Sequence, residues 1–504
     1  MIAKIQSYSL HGLTGVPVSV EVDVNNGLPA FDIVGLGDAA VKESKERVRS
    51  AIKNSGRTMP AKKITANFAP AFLKKSGSSF DLSLAVGVLC ATGQLILSDG
   101  TADTVFLGEL SLDGSLRQAT GVLPILISAI KDGYKSFIVP KDNLKEASFV
   151  SGADIYAAAS LNEVIDHLSG LKPLGKVAPA QRELSSGISA YDSDMAFVKG
   201  QATAKRALEI AVSGGHNILF VGAPGTGKTM LAKCIPSIMP DMTFEEAIET
   251  TKIYSVAGLL DGEGIVAKRP FRSPHHTATS VAITGGGTSL KPGEISLAHN
   301  GVLFLDEMPE YNRSTLETLR QPLEDGVITV SRATGTVKYP ANFILCGSMN
   351  PCPCGNYGSE HKECTCTPAQ IAKYRAKISG PLLDRIDIKI DVDEVKYSEL
   401  TDSAQAESSA EIRKRVNRTR KIQAERFKND GIKTNADMRE KHIVKYCKLS
   451  EECEKILKTA YESLGLSPRA RSRIIKVART IADMDLYDDI KPQHLLEAVN
   501  YRNG

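Results

Sequence analysis

A stretch of eight residues in the middle of the chain has the residue types and spacing that bind a nucleoside triphosphate. Residues 222–229 read Gly-Ala-Pro-Gly-Thr-Gly-Lys-Thr and fit the pattern GxxxxGK[ST]. An apolar run (217–221) precedes them and a helical pattern (230–235) follows, which is the context that a phosphate-binding loop requires. A glycine-rich turn that matches by chance would not explain both flanks. The sequence therefore predicts a site for ATP and Mg²⁺ formed by Gly222, Pro224, Gly225, Thr226, Gly227, Lys228 and Thr229.

Two adjacent carboxylates are predicted to supply the second half of this site. Asp306 and Glu307 end an apolar run (301–305) that is typical of a buried parallel strand. Ligands bind at the carboxyl ends of such strands. We expect Asp306 to hold Mg²⁺ together with Thr229, and Glu307 to act as the general base that polarises the attacking water. An acidic pair alone is weak evidence, but it gains weight from the phosphate-binding loop that precedes it.

Two further polar side chains are candidates for catalysis. Asn350 follows a third apolar run (342–347), where its amide could hydrogen-bond the attacking water and the γ-phosphate. Arg385 lies in a loop before a fourth run (386–392), and arginine stabilises charge on a transferred phosphoryl group, from the same chain or from a neighbour. The alternative for Arg385 is a surface ion pair with Asp384.

Four cysteines lie within fifteen residues, as two C-x-C pairs. Four thiolates can close a tetrahedral Zn²⁺ site, although the usual spacing within a pair is C-x₂-C. His361 is a possible substitute ligand, and the alternative to a metal is a group of reduced cysteines that pack a loop. Because the cluster follows Asn350 so closely, a metal here would brace that residue rather than do chemistry. The candidate zinc ligands are Cys352, Cys354, Cys364 and Cys366.

The elements that must position these residues predict an α/β protein of several domains. The chain has 504 residues, of which 42% are hydrophobic and 24% charged, an ordinary globular composition. Strand-like and helical runs alternate over 1–170, and a Pro-, Gly- and Ser-rich stretch over 171–192 reads as a linker. A second α/β region covers 193–395, and the remainder, 396–504, is mostly helical and highly charged.

Within 1–170 the hydrophobic periodicity predicts an amphipathic helix over 38–55 and strands over 18–24, 63–68, 103–107 and 136–139. The longest apolar stretch, 82–97, is interrupted by polar residues and is shorter than a membrane span, so it reads as a buried helix. The first residues lack the features of a secretory signal, and nine cysteines in so long a chain do not suggest a disulfide scaffold. We therefore expect a cytoplasmic protein without membrane association.

Several motifs together resemble one family. The stretches 198–229, 269–276 and 292–301 resemble the magnesium-chelatase-like AAA+ ATPases, and 350–355 with 478–483 narrow the resemblance to the bacterial ComM/YifB subfamily. The resemblance covers essentially the whole chain. It implies a Lon-protease-like N-terminal domain, a central AAA+ module and a C-terminal helical lid. It also implies a homo-oligomeric ring, a hexamer.

The resemblance assigns roles to individual residues. Asn350 corresponds to the sensor-1 residue, and Arg385 to the arginine finger that acts on the neighbouring subunit. Arg469 is the preferred sensor-2 arginine, ahead of Arg471. Two residues before the ATPase core are implied to lie near the adenine, Val198 and Gln201.

The N-terminal region resembles the Lon protease but lacks part of its catalytic apparatus. Ser79 matches the nucleophilic serine best, whereas Leu123 stands where the family has the partner lysine. Leucine cannot accept the proton of the serine. Lys131 is about two helical turns away, too far to substitute. We therefore expect a scaffold or substrate-handling domain that is not a peptidase.

DNA contacts are less clearly indicated. The net charge of +4 is too small to identify an anionic partner, but two basic runs each crowd one predicted helix. A solvated helix face or a subunit contact is the favoured explanation for each run, ahead of DNA binding. Residues 272–276, with His275 and His276, and the glycines 285–287 are candidates for a loop that lines the pore of a ring. The two runs comprise Arg413, Lys414, Arg415, Arg418, Arg420 and Lys421, and then Arg469, Arg471, Arg473, Lys476 and Arg479.

Two functions from different classes are consistent with these features. The resemblance implies a motor that binds branched or single-stranded DNA and migrates DNA branches during recombination and natural transformation. The alternative is a chelatase-type or chaperone-type ring that remodels a protein partner. The motor is favoured because no large chelatase subunit or integrin-like domain is fused to this sequence. A switch that binds ATP without hydrolysing it would leave Glu307, Asn350 and Arg385 without a use.

Overall fold

The computed structural model describes residues 2–72, 75, 77–97, 101, 103–180, 191–260, 262, 264–287, 290–332, 335–359, 362–395, 399 and 406–503. Within these residues, no helix is both long enough and apolar enough to cross a membrane.

The N-terminal region is built on a mixed seven-stranded sheet with strand order β3-β4-β2-β1-β5-β8-β9. Val18, Val20 and Val22 of β2 alternate with more exposed residues, which is the period of a strand whose side chains point to the two faces of a sheet in turn. The strands are β1 (Ile2–His11), β2 (Thr14–Asn25), β3 (Ala30–Val34), β4 (Lys63–Ala69), β5 (Thr104–Phe106), β6 (Glu109–Leu110), β7 (Leu116–Arg117), β8 (Ser136–Pro140) and β9 (Asp154–Ala158).

Helices cover both faces of this sheet. The first begins after Asp38, whose carboxylate accepts a hydrogen bond from the Val41 N–H, as expected of an N-cap. The second is fully buried but ends at Ala91, so the predicted helix over 82–97 is too long; Gly93 follows in a left-handed conformation that ends it. The helices are α1 (Ala39–Asn54), α2 (Asp81–Ala91), α3 (Val122–Lys131), α4 (Leu144–Ala147) and α5 (Leu161–Leu168).

The central region contains a five-stranded parallel sheet with strand order β11-β14-β17-β10-β18. Its inner strands are mostly apolar because both faces are covered: on β14, Val302 and Phe304 join one core, and Leu303 and Leu305 join the other. The strands are β10 (Ile218–Val221), β11 (Phe271–Arg272), β12 (Gly285–Gly286), β13 (Lys291–Pro292), β14 (Val302–Leu305), β15 (Val327–Arg332), β16 (Gly335–Pro340), β17 (Ile344–Met349) and β18 (Ile388–Asp391).

Two antiparallel hairpins, β12–β13 and β15–β16, project from this region. The helices are α6 (Ala202–Gly214), α7 (Lys228–Lys233), α8 (Ile235–Ile238), α9 (Phe244–Ala257), α10 (Ser280–Thr284), α11 (Glu294–Leu297), α12 (Arg313–Glu317), α13 (Pro322–Asp325), α14 (Pro368–Arg375) and α15 (Gly380–Leu383).

The C-terminal region is helical, and its apolar side joins the core that covers one face of the parallel sheet. Its helices are α16 (Ser409–Arg426), α17 (Glu440–Tyr446), α18 (Glu451–Ser463), α19 (Pro468–Met484) and α20 (Pro492–Asn503).

Three arginines of the basic run on α16 hold that helix against the central region, a role that the sequence did not predict. The Arg413 guanidinium is buried and donates to the Ser237 carbonyl at 2.6 Å. Arg415 pairs with Glu209 at 2.6 Å, and Arg420 donates to the Val212 carbonyl at 2.8 Å. Charges that are bound within the chain in this way are not free to bind DNA phosphates.

Candidate nucleotide site

The predicted phosphate-binding loop, the two carboxylates and Asn350 lie at one edge of the parallel sheet. Val221, the last residue of β10, pairs with Met349 of β17, and the Gly222 N–H donates to the Met349 carbonyl at 3.2 Å. Leu305 of β14 pairs with Gly347 one strand further on. The residues that follow these three strands are therefore neighbours in space, as the sequence predicts.

The lysine of the loop is held by acceptors within the site. Lys228 is largely buried, and its ammonium group donates to the carbonyls of Gly222 and Ala223 at 2.7 Å each. A third, longer hydrogen bond of 3.3 Å joins it to the Asn350 amide oxygen. Burial lowers the pKa of Lys228, while the charges of Asp306 and Glu307 act in the opposite direction. The ammonium group can move from these acceptors to phosphate oxygens when a nucleotide binds.

The two predicted magnesium ligands are in contact. The Thr229 hydroxyl donates to Asp306 Oδ2 at 3.0 Å. The Ser348 hydroxyl donates a short hydrogen bond to the other oxygen of Asp306, and it accepts one from the Glu307 N–H at 3.1 Å. Ser348 is not predicted from the sequence; the only signal is a hydroxyl among the apolar residues of β17.

Glu307 is oriented differently from Asp306. It has left-handed backbone angles (φ +49°), which are uncommon outside glycine, and its side chain is 58% exposed. The His276 imidazole is close to it, with Nδ1 4.0 Å from the carboxylate. A general base needs such access to water, and strained angles of this kind are common at active sites.

One of the two residues expected near the adenine, Gln201, lies beside the loop. The Gln201 side-chain amide donates to the Thr226 carbonyl at 3.3 Å and to the Asp393 carbonyl at 2.6 Å. It therefore joins the phosphate-binding loop to the segment that follows β18. Val198 is buried, and its carbonyl accepts a hydrogen bond from Lys205.

Arg385 lies at the opposite, amino-terminal edge of the sheet. It precedes β18, whose four residues place it about 10 Å or more from the edge that carries the loop. Its guanidinium pairs with Glu324 and donates to the Pro381 carbonyl at 2.8 Å. The predicted alternative, a surface pair with Asp384, is wrong, since Asp384 pairs with Arg502 instead.

Arg469 also lies at this amino-terminal edge rather than beside the loop of its own chain. The hydrogen bond from Arg385 lowers the pKa of Glu324, and the charges of Arg469 and Arg473 lower it further. Arg473 donates to the Arg385 carbonyl at 3.1 Å and pairs with Asp387, which fixes the first turns of α19 here. Cations from two segments thus surround one carboxylate, in a pocket lined by Glu317, Arg320, Gln321, Glu324, Asp325 and Arg385.

The four clustered cysteines have the geometry of a thiolate metal site. The Sγ atom of Cys352 lies 3.4 Å from that of Cys354 and 3.7 Å from that of Cys364, and all four Sγ atoms lie within 4.8 Å of one another. Tetrahedral zinc with Zn–S bonds of about 2.3 Å requires sulfur separations of about 3.8 Å. Hydrogen bonds from backbone N–H groups, that of Asn356 foremost, lower the pKa of Cys354 to about 6 and favour its thiolate. The donor set fits zinc; His361 lies outside the described residues.

The residues predicted to line a pore lie in two separate stretches of the central region. The Arg272 guanidinium makes a bidentate pair with Glu294, at 2.6 and 2.8 Å, and so organises the segment. The His275 ring packs at a tilt on the ring of His276, which lies close to Glu307. Gly285 and Gly286 form β12, the first strand of a hairpin.

The serine of the protease-like segment has no lysine partner among the described residues. Leu123 is fully buried on α3, and its N–H donates to Glu146. Lys131, at the end of the same helix, faces Lys252 of α9. The nearby Lys75 is buried and donates to the Pro70 carbonyl. Lys74 and Ser76 lie outside the described residues.

Family models for the magnesium chelatase match most of this chain. The model described as magnesium chelatase, subunit ChlI, matches residues 194–400. The model for subunit ChlI of Mg-chelatase matches residues 20–143, and that for the C-terminal part of subunit ChlI matches residues 406–502.

Individual relatives show a much closer similarity. Competence protein ComM of Haemophilus influenzae is 43% identical over 503 residues, which cover 99% of this chain and 97% of the relative. YifB of Escherichia coli is 44% identical over 97% of this chain and 95% of its own length. The magnesium-chelatase 67 kDa subunit of Heliobacterium mobile is 26% identical over only 31% of this chain and 28% of its own length.

Proposed function

This chain belongs to the ComM/YifB branch of the magnesium-chelatase-like AAA+ ATPases, and from that premise we propose that it is a cytoplasmic ring motor that uses ATP to migrate branched DNA. The ATPase part rests on the site at the carboxyl edge of the parallel sheet. The DNA part rests on the similarity to a competence protein and on the exposed charges of two hairpins.

In the proposed ATP site, each side chain performs the role that its position allows. Lys228 leaves the carbonyls of Gly222 and Ala223 and binds the β- and γ-phosphates. Thr229 and Asp306, which are already hydrogen-bonded, would hold Mg²⁺, which neutralises phosphate charge when bound. Glu307 takes the proton of the attacking water, and Asn350 orients that water.

The position of Arg385 is the observation that supports a ring. An arginine that stabilises the transferred phosphoryl group must reach the γ-phosphate. Arg385 and Arg469 lie at the edge of the sheet opposite their own loop, so only the site of a neighbouring copy is open to them. A head-to-tail contact of this kind closes into a ring when the rotation permits it. We propose a homo-hexamer in which both arginines serve the adjacent subunit.

The two hairpins of the central region are the proposed DNA contacts. The Arg332 guanidinium, on β15, lies beside Gly286 of β12, so the hairpins are adjacent. Lys291, Arg332 and Lys338 are exposed on them and form no ion pair with any residue that the structure describes. Unpaired cations on adjacent hairpins can bind phosphates, unlike the paired arginines of α16.

A direct test compares ATP hydrolysis with and without a synthetic four-way DNA junction, at low and at physiological salt. The proposal predicts stimulation by the junction that weakens as salt increases. The double variant Lys291→Ala/Arg332→Ala should lose the stimulation and keep basal turnover. Lys421→Ala, which removes an exposed charge on α16, is the matched control. Basal turnover that is unaffected by DNA would instead favour the alternative, a ring that remodels a protein partner.

We propose a structural role for the four-cysteine cluster. One Zn²⁺ bound by Cys352, Cys354, Cys364 and Cys366 would crosslink two segments of the same loop, without an open position for catalysis. The measurement is the zinc content of protein purified without added metal, with about one zinc per chain expected.

We also propose the division of the chain into a non-peptidase Lon-protease-like domain (1–170), a linker (171–192), an AAA+ core (193–395) and a helical lid (396–504). A peptidase would require a base that accepts the proton of the Ser79 hydroxyl; among the described lysines, Lys75 donates to the Pro70 carbonyl and Lys131 lies near Lys252. A purified protein that cleaves unfolded substrates would contradict this assignment.

A further inference from the structure

The cysteine cluster is part of the wall of the nucleotide site. We use the name cysteine knuckle for residues 351–359 and 362–366, which carry the four thiols. Gly355 of the knuckle packs directly on Pro224 of the phosphate-binding loop: a Cβ atom on Gly355 would lie 2.6 Å from Pro224 Cδ and 2.9 Å from Pro224 Cγ. Only a residue without a side chain fits between the two loops.

The same knuckle also begins at the sensor residue. Asn350, which precedes it directly, accepts the hydrogen bond from Lys228, and its backbone bonds to the Tyr374 hydroxyl. The Pro351 carbonyl accepts a hydrogen bond from Arg375, at the end of α14, at 3.3 Å. The knuckle therefore lies between α14, which hydrogen-bonds to its first residue, and the phosphate-binding loop, which Gly355 contacts.

The sulfur atoms link the two ends of the knuckle. Between the two C-x-C pairs, the described residues are half-buried or exposed apart from Gly355, so there is little apolar packing to hold them. Two backbone hydrogen bonds close short turns within the knuckle, from the Gly355 N–H to the Cys352 carbonyl and from the Ser359 N–H to the Asn356 carbonyl, each at 3.0 Å. The contacts among the sulfur atoms join the first C-x-C pair to the second, such as that of Cys352 Sγ with Cys364 Sγ at 3.7 Å. Removing a metal from four closely spaced thiolates would release this crosslink.

We infer that metal bound by the cysteine knuckle sets the affinity of the site for ATP. The crosslinked knuckle holds Pro224 in place through the contact with Gly355, and it holds Asn350 in place because that residue is bonded directly to Pro351. The metal thus controls the ATPase without touching nucleotide. This inference rests on the zinc site proposed above and adds a regulatory consequence to it.

Two glycines of the knuckle provide a matched pair of variants that leave all four thiols in place. Gly355 and Gly358 have almost the same left-handed backbone angle (φ +84° and +83°), but a Cβ on Gly358 would meet nothing within 4 Å. Backbone strain from an alanine is therefore the same at both positions, and only the contact with Pro224 differs. The Kd for a fluorescent ATP analogue is expected to rise about tenfold in Gly355→Ala and to stay near the wild-type value in Gly358→Ala.

The metal itself is tested on the wild-type protein. Chelation should weaken binding of the ATP analogue, and addition of Zn²⁺ should restore it, with thermal melting to show that the chain stays folded. Replacement by Co²⁺ should give the visible absorption of a tetrahedral thiolate site. This readout does not depend on ATPase activity.

The outcomes separate the two proposals. If zinc is present but stripping it leaves the Kd unchanged, or if Gly355→Ala binds as tightly as Gly358→Ala, the coupling is refuted and the structural zinc stands. If the purified protein holds no zinc and gives no cobalt–thiolate absorption, the zinc proposal fails, and the inference fails with it. If Gly355→Ala does not fold, chelation and reloading of the wild-type protein decide the question.

Discussion

If Arg385 serves the neighbouring subunit, two inactive variants should restore activity when they are mixed. Lys228→Ala removes the ligand of the phosphates, and Arg385→Ala removes the charge that stabilises the transferred phosphoryl group. The second loss alone is expected to slow hydrolysis by roughly 10³-fold or more. Each variant alone should therefore be almost inactive.

The fraction of intact sites in a mixed ring determines how much ATPase activity is restored. Arg385 precedes β18 at the amino edge of the sheet, whereas Lys228 follows β10 at the carboxyl edge, about 10 Å or more away along the strands. In a ring assembled from equal amounts of both variants, a site is intact when a chain with normal Lys228 faces a neighbour with normal Arg385. Random assembly gives each condition a chance of about one half, so roughly a quarter of the wild-type rate is expected.

The assay measures phosphate release after the two variants are mixed, with co-purification of differently tagged chains to show that they assemble together. The matched control is a mixture of Lys228→Ala with Glu307→Gln. These two residues belong to the site of one chain, so no intact site can form and no rescue is expected. Co-assembled rings of Lys228→Ala and Arg385→Ala that remain inactive would refute the assignment of Arg385 to a neighbouring site.

Three further predictions concern single residues. Glu307→Gln should bind ATP normally but hydrolyse it at least about 10²-fold more slowly; normal turnover would show that Glu307 is not the base. Ser348→Ala removes the hydroxyl that joins Asp306 to the Glu307 backbone, so kcat should fall about tenfold with little change in nucleotide affinity, and an unchanged kcat would contradict this positioning role. Burial lowers the pKa of His494, against the opposing charge of Asp485, so the unfolded chain binds its proton at a higher pH than the folded chain. The free energy of unfolding should therefore decrease as pH falls below about 6.5, and chemical denaturation from pH 7.5 to 5.5 should show a smaller decrease in His494→Gln.

The ATP site could be predicted from the sequence because its parts are local. Asp306, Asn350 and the loop that carries Lys228 each follow an apolar strand. The carboxyl ends of parallel strands meet at one edge of the sheet, so these three residues are expected to be neighbours once the strands are recognised. The cysteine cluster could also be predicted from the sequence, because its two C-x-C pairs lie close together in the chain. The distances among the sulfur atoms then favoured a metal site over simple packing.

Features that depend on how distant segments dock could not be predicted. The side of the sheet on which Arg469 lies is set by α19, which is fixed by Arg473 and Asp387 across more than eighty residues of sequence. The contact between Gly355 and Pro224 joins two loops that are even further apart in the chain. The arginines of α16 resembled a DNA-binding run because sequence alone shows their charge but not carbonyl partners such as that of Ser237.

The most direct test of the proposed motor is a strand-displacement assay with the purified protein and a labelled four-way DNA junction, in the presence of ATP and Mg²⁺. A branch-migrating motor should convert the junction to two duplex products with ATP, and Glu307→Gln should leave it intact under the same conditions. A junction that remains intact while the wild-type protein hydrolyses ATP would contradict the DNA motor and leave a ring ATPase that acts on another substrate.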